Sequence, residues 1–269
     1  MTGKCFLVGT PIGNMGDITL RAIETLKEVD VIACEDTRHT LKLLTRYEIK
    51  KPLISYHQHK EREGAEQIMA LLNEGKNVAL VSDAGMPCIS DPGSILVQTL
   101  RERDMEITVI PGASALTAAV ALSGIEGAFT FLGFLGDKNK DRTQKIKPFI
   151  DAPTALVIYC SPHDLKTTLT FLYETLGNRK AHVIKEITKI YESAVSGNLG
   201  EIEIENPKGE YVIIVEAAEK AQTEISGEDM VQELKRLVET GIDKKDAVSL
   251  VCQKYGLNKN KVYPFSIGL

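Results

Sequence analysis

The stretch "CFLVGTPIGNMGDIT", Cys5–Thr19, decides how the rest of the chain is read. It begins as a short apolar run, Cys5 to Val8, of the kind that makes a buried strand. It then breaks into a turn in which three glycines, a proline and an asparagine lie between Gly9 and Gly16. Such a turn is costly in backbone entropy, so it implies a purpose beyond connecting two elements. Asp17 or Thr19 can cap a helix whose apolar residues Leu20, Ile23, Leu26 and Val29 recur on one face. Strand, glycine turn, helix is the opening unit of an α/β fold.

The unit repeats. Val29 to Ala33 reads as a second strand, ending in the polar run "CEDTRHT", with the short helical run "TLKLLTRY" behind it. Pro52 to Tyr56 reads as a third strand before a helix that ends near Asn73, with Gly75 suited to its C-cap. Asn77 to Val81 is a fourth strand, ending at "SDAGMPCISDPG", Ser82–Gly93. After a helix over Ile95 to Arg103, Ile107 to Ile110 is a fifth, ending at "PGASA", Pro111–Ala115. Repeated units of this kind predict a largely parallel sheet with helices on its faces. In such sheets ligands bind beyond the carboxyl ends of the strands, so the loops after strands one, four and five mark the expected site.

Beyond Gly124 the pattern changes. Strands are expected at Phe129–Phe134, Thr154–Tyr159, Ala181–Ile187 and Tyr211–Glu216. A helix is expected over Pro162 to Leu176, and a basic segment, "DKNKDRTQKIK", over residues 137–147. From Ile225 the chain is helical: Met230–Thr240 and Lys244–Tyr255, divided by Gly241 and Gly256, with Asn258 able to cap a third short helix. The expected organisation is an N-terminal α/β domain over residues 1–115, a second α/β domain with a mixed sheet over 116–220, and a helix-turn-helix-like tail over 225–269.

Composition narrows the class. The chain has 269 residues, 43% hydrophobic and 26% charged, and a net charge of −5. That charge gives no overall drive toward nucleic acid, though local basic patches remain open. Five scattered cysteines without a CxxC pair fit reduced thiols, not a disulfide framework or zinc site. No signal peptide and no apolar run of membrane-spanning length is expected, which predicts a cytoplasmic protein.

The first loop lacks the G-x-G-x-x-G dinucleotide fingerprint, and no Gly-Lys-Ser/Thr follows it. Pro11 also removes a backbone donor. A neutral or cationic ligand suits this loop better than a pyrophosphate. In the second loop Asp91 reads as a cap and Asp83 as a ligand contact. The histidines lack metal-ligand spacing, so no metal site is expected.

Together "GTPIGN", "EDTRHT", "SDAGMPCISDPG" and "PGASALTAAVALSGI" resemble the ribosomal RNA small-subunit methyltransferase I family, within the tetrapyrrole methylase superfamily. The resemblance runs from Phe6 to the "KNKVY" of the tail. It implies 2′-O-methylation of a decoding-centre cytidine in 16S ribosomal RNA, with S-adenosylmethionine as cofactor. It further implies two α/β domains, a cofactor folded into the cleft between them, and a homodimer. Carried onto this chain, the resemblance places the cofactor against Pro11, Asp83, Gly85, Met86, Ser114 and Ala115. From the second domain it adds Tyr159 and Glu186 to Thr188. The family's usual pattern is departed from at Met86, at Gly136 in "GFLG", at Cys160 and Asp164 in "YCSPHDL", and in "ITKIYE".

A ribose hydroxyl acceptor calls for a general base. The candidates are Glu35, Asp36 and His39 after strand two, His57 and His59 after strand three, and Lys189 and Glu192 in the second domain. Lys189 qualifies only if its pKa is depressed. RNA contact needs local positive charge, for which Arg38, Lys60, Arg62, Lys138, Lys140, Arg142, Lys145 and Lys147 are candidates. Tyr56 and Phe134 are candidate stacking platforms. Two other readings stay open on the sequence: a small-molecule methylase acting on a tetrapyrrole or corrin, and a nucleotide-binding regulatory protein without turnover.

Overall fold

The computed structural model describes residues 2–136, 138–218, 225–255 and 257–267. Asp137, at the head of the basic segment, and Gly256, between the tail helices, lie outside them.

The opening stretch folds as strand β1 (Cys5–Val8), a single 3₁₀ turn over Met15–Asp17, and helix α1 (Leu20–Glu28). Asn14 caps the turn by accepting from the Gly16 N–H, and Thr19 caps α1 by accepting from Ala22. Because α1 starts at Leu20, its inward face is Ala22, Thr25 and Leu26, and Leu20 is left 79% exposed. The expectation that Leu20 joins the buried face is thereby corrected. Val29 ends α1, so β2 begins two residues later than expected, at Val31–Cys34.

The rest of this half follows as α2 (Thr37–Arg46), β3 (Leu53–Ser55), α3 (Glu61–Asn73), β4 (Val78–Val81), α4 (Ser94–Glu102), β5 (Ile107–Ile110) and α5 (Ala115–Ser123). The strands form one sheet in the order β3-β2-β4-β1-β5, and every pairing in it is parallel. All four residues of β2 and of β4 are buried, as a sheet covered on both faces requires. Cys5, Ala33 and Leu80 pack on one face with Ile68, Leu72, Leu96 and Leu100. Val8, Ile32, Ala79 and Val81 pack on the other with Leu26 and Leu44.

The second sheet holds β6 (Phe129–Phe134), β7 (Ala155–Cys160), β8 (Lys180–Lys185), β9 (Ser193–Asn198) and β10 (Tyr211–Val215), in the order β6-β7-β10-β8-β9. Only β6 and β7 run parallel, so the sheet is mixed as expected. Helices α6 (Asn139–Ile146) and α7 (Leu165–Leu176) cover one face through Ile146, Leu165, Leu169 and Leu172. Helix α5 covers the other, with Ala119 against Val157, Ile184, Val212 and Ile214.

Both sheets lie in one compact unit, residues up to Ile150 with Thr154–Glu216. The second unit takes Asp151–Pro153 and the described residues from 217 onward. Its described helices are α8 (Gly227–Glu239), α9 (Lys244–Tyr255) and α10 (Lys259–Ser266). Met230 and Leu234 of α8, Val248 and Val251 of α9 and Val262 of α10 make a small core of their own. Asn258 caps α10 through the Asn260 N–H. No helix among the described residues is long and apolar enough to cross a membrane.

Candidate functional site

Parallel pairing puts the carboxyl ends of β1, β4 and β5 side by side, and their three loops meet there. Thr10 donates its N–H to the Gly85 carbonyl at 2.8 Å, and Gly85 returns one to Thr10 at 3.2 Å. Gly9 lies so close to the third loop that a Cβ on it would fall 2.7 Å from the Gly112 nitrogen and 2.6 Å from Met86 Sδ. A Cβ on Gly112 would fall 2.9 Å from the Gly9 carbonyl oxygen. Gly9 of the opening stretch thus serves an approach of backbone to backbone that a side chain would prevent, while Gly13 leaves room for the Lys189 side chain. Gly85 has φ +79°, the left-handed region that favours glycine.

Above this seam lie two cavities. The larger, about 390 Å³, is lined from the first sheet by Ile12, Gly85, Met86, Asp91, Ser114 and Ala115. From the second sheet come Phe134, Tyr159, Ser161, Ile187 and Val212. Its size is that of a small-molecule site, and its wall is mostly apolar with a few polar groups. Tyr159 is fixed at both ends: its hydroxyl accepts the Leu116 N–H at 3.0 Å, and its ring stands edge-on to Phe131 and Phe134. That hydrogen bond satisfies one of the donors left open at the start of α5.

The smaller cavity, about 320 Å³, adjoins the first. It shares Ile12, Ala84, Lys189 and Glu210 with it and adds Thr10, Pro11, His39, Thr40, Leu43, Ser82 and Asp83. Helix α2 supplies His39, Thr40 and Leu43 from neighbouring positions on one side.

Of the expected cofactor contacts, Gly85, Met86, Ser114, Ala115 and Tyr159 line the larger cavity. Pro11 and Asp83 line the smaller. Glu186 and Thr188 line neither, and Ile187 between them does. The reason is the backbone. Glu186 at φ +50° and Thr188 at φ +66° make a tight turn that directs alternate side chains away. Thr188 Oγ1 is hydrogen-bonded to Asp17, and the Glu186 carboxylate accepts from Lys189 Nζ and the Glu210 N–H.

The reading of Asp91 as a cap is corrected. Gly93 sits at the N-cap of α4, and the Asp91 carboxyl, in the larger cavity, has no hydrogen bond or ion pair to a described side chain. Burial first, then the charges of Glu35 and Asp83, push its pKa up from an ordinary 3.8 to about 6. No spacing rule separates this aspartate from a turn-capping one, which is why the sequence does not reveal it.

The base candidates sort clearly. Lys189 is overturned: burial alone would lower its pKa, but hydrogen bonds and ion pairs to Glu186 and Glu210, both at 2.8 Å, raise it instead. It stays protonated. Asp36 is the N-cap of α2, accepting from the N–H groups of Arg38 and His39, and the first of these bonds is the main cause of its lowered pKa. Glu35 lines neither cavity; burial, then Asp83, raises its pKa. His57 and His59 are exposed outside both cavities, and Glu192 accepts from the Thr188 N–H. His39 alone of the set stands in a cavity wall with its ring uncommitted to an ion pair among the described residues.

Among the expected RNA contacts, Arg142 is corrected. It is 4% exposed, its Nε donates to the Gly136 carbonyl at 2.7 Å, and its guanidinium lies 3.6 Å from Asp164. The two departures Gly136 and Asp164 are therefore the partners of one buried arginine. Lys145 donates to the Phe134 carbonyl, and Lys60 pairs with Glu63. Arg38, Arg62, Lys138, Lys140 and Lys147 are exposed. Tyr56 is buried at 2% with its hydroxyl toward Glu61, so it offers no stacking face, whereas Phe134 is half exposed in the cavity wall. No metal-holding group of side chains occurs among the described residues.

Residues 4–203 match the family model described as Tetrapyrrole (Corrin/Porphyrin) Methylases. The chain is 40% identical to the ribosomal RNA small subunit methyltransferase I of Synechocystis sp., over 99% of this chain and 98% of that protein. It is 43% identical to the protein of that name from Thermotoga maritima, over 81% of this chain and all of that one. Among solved structures it is similar in fold to the methyltransferase CobJ, with a TM-score of 0.63 and 20% identity over 81% of this chain and 95% of that one. It is also similar to a uroporphyrin-III C-methyltransferase from Thermus thermophilus complexed with S-adenosylhomocysteine, with a TM-score of 0.57 and 22% identity over 80% of this chain and 97% of that one.

Proposed function

Because the chain belongs to the ribosomal RNA small subunit methyltransferase I family of the tetrapyrrole methylases, we propose that it methylates a cytidine 2′-hydroxyl of 16S ribosomal RNA in the small subunit. The cofactor is S-adenosylmethionine, which when bound supplies an electrophilic methyl group on a positively charged sulfur.

The observation that carries this reading is the pair of cavities with a shared wall. One is suited to a compact cationic cofactor and the next to a hydroxyl acceptor. The larger cavity fits the cofactor on its own chemistry. Close backbone approach of Gly9 to Gly112 holds together the loops that wall it, Gly85 lines it, the apolar faces of Met86, Tyr159 and Val212 take a flat ring system, and Asp91 offers one carboxylate to a cation. The ionised form of Asp91 is costly on its own, and a bound cation favours it.

The smaller cavity carries a few polar groups that a ribose can meet. Thr10 Oγ1 is turned to the Ser82 carbonyl, and the Asp83 carboxylate is held by the Asp36 N–H at 3.1 Å. His39 stands at its edge and takes the hydroxyl proton as the general base. Lys189 stays positive between its two carboxylates and forms a fixed partition between the cavities. Holding acceptor and donor across one wall supplies the alignment on which an in-line displacement depends. By the same resemblance the working form is a cytoplasmic homodimer, which analytical ultracentrifugation of the purified chain tests.

The function is tested by incubating the enzyme with methyl-labelled S-adenosylmethionine and small ribosomal subunits, free 16S RNA or a porphyrin. Label at a 2′-oxygen of cytidine in the RNA supports the proposal. Label in the porphyrin alone overturns it in favour of a small-molecule methylase.

A further inference from the structure

Helix α2 is basic along one side. Arg38, Lys42 and Arg46 recur every fourth residue along it, and all three are exposed. The ten residues of α2 contain no acidic side chain, in a chain whose net charge is −5. Arg38 lies 3.7 Å from the capping Asp36, while Lys42 and Arg46 pair with no acid among the described residues. The next acid in sequence, Glu48, is two residues past the helix end.

The same helix walls the smaller cavity. Taking His39 as zero and advancing about 100° per residue, Leu43 and Thr40 lie to one side, and Arg46, Lys42 and Arg38 fan out on the other. The basic stripe therefore borders the cavity-lining face along the helix. Successive cations stand about 6 Å apart along the axis, a spacing comparable to that of consecutive phosphates in a nucleic-acid strand. Lys42 and Arg46, uncompensated and gathered with Arg38 on one helix of an acidic protein, repel their like-charged neighbours and cost stability, so the stripe calls for an anionic partner.

We infer that Arg38, Lys42 and Arg46 form a phosphate track that seats the RNA backbone beside the acceptor cavity, so that the target nucleotide enters past His39. The inference rests on the RNA methyltransferase reading and extends it. An acidic protein surface would also meet three cations, but it would not explain their even spacing along the rim of the cavity that takes the acceptor.

The test is binding of 16S RNA by the full-length protein between 50 and 300 mM salt, by fluorescence anisotropy. Removing one phosphate-binding cation lowers the slope of log affinity against log salt by about 0.7 for a single strand. R38A/K42A/R46A is expected to lower the slope by about 2 and to weaken binding tenfold or more at 150 mM salt. K42A/R46A, which leaves Arg38 and the Asp36 cap intact, is expected to lower it by about 1.4. Affinity for S-adenosylmethionine, by calorimetry, stays unchanged in both and reports intact folding. K27A/K166A, on exposed positions of α1 and α7, is the control for general charge. Wild-type slope and affinity in the variants, or a loss no larger than the control's, overturns the track and leaves the methyltransferase reading standing. Failure of the wild type to methylate any RNA overturns that reading, and the salt slopes then decide the track separately. Loss of binding to an acidic protein with RNA binding unchanged assigns the stripe to the other partner and also overturns the inference.

Discussion

Replacing Asp91 by asparagine is expected to stabilise the protein free of cofactor while weakening its hold on the cofactor. The carboxyl lines the larger cavity, and burial together with Glu35 and Asp83 raises its pKa from 3.8 to about 6. That difference corresponds to about 3 kcal/mol against the ionised form at pH 8. Solvent reaches this half-buried group, so screening reduces the expected value to about 1 kcal/mol. The native state holds the proton more tightly than the unfolded chain does. This contribution to stability is therefore fully present below pH 4 and is lost as pH rises through 6. Asparagine cannot ionise, so the gain over wild type is about a third of its full value at pH 4.5, where the unfolded chain's carboxyl is already mostly ionised, and near its full value at pH 8. For a chain of this size, about 1 kcal/mol moves the melting temperature by about 2–4 °C. Melting curves of both proteins without cofactor, from pH 4.5 to 8, measure it. Titration with S-adenosylmethionine at pH 8 gives the second half, an affinity loss of about tenfold, equivalent to 1.4 kcal/mol. Equal melting at pH 8, or a gain of the same size at both ends of the range, would refute the reasoning.

Three further outcomes are expected. Gly112→Ala places a Cβ within 3.0 Å of three backbone atoms of Gly9, which forces the first and third loops apart. It costs about 1–3 kcal/mol by chemical denaturation and weakens cofactor binding in calorimetry. Arg142→Ala leaves the Gly136 carbonyl without its charged donor and costs about 1.5–3 kcal/mol, with no change in the salt slope of RNA binding. His39→Asn lowers kcat by about 10²–10⁴ with cofactor affinity unchanged, as single-turnover assays read it.

The first sheet is legible because its strands and turns are written in short range. Apolar runs of four residues end in glycine, proline and aspartate clusters, and parallel pairing then brings those clusters to one edge. The tail helices are equally plain, with Ser226 and Asn258 acting as caps at their starts. Strand β9 escapes a sequence reading, because "SAVSGN" has only two apolar side chains and is an edge strand held by pairing with β8. Its conformation comes from tertiary context, which propensity does not carry. The same divide runs through the site. Glycine and small-residue positions such as Gly85, Ser114 and Ala115 can be found because their backbone requirement is local. Charged positions mislead because a side chain's role depends on its partners. Lys189 is fixed by Glu210, twenty-one residues away in the chain, and Arg142 by a carbonyl and a carboxylate on either side of it. Lys42 and Arg46 could have been found by counting charges along α2, since the i, i+4, i+8 recurrence is visible once the helix is drawn from Thr37 instead of Thr40.

A crystal structure with S-adenosylhomocysteine bound bears most directly on the claim that two adjoining cavities divide cofactor from acceptor. The account predicts the ligand in the larger cavity against Gly85, Ser114, Ala115 and Tyr159, with its sulfur facing the opening by Ile12 and Ala84 toward His39. A ligand seated elsewhere, or a sulfur turned away from that opening, would contradict it.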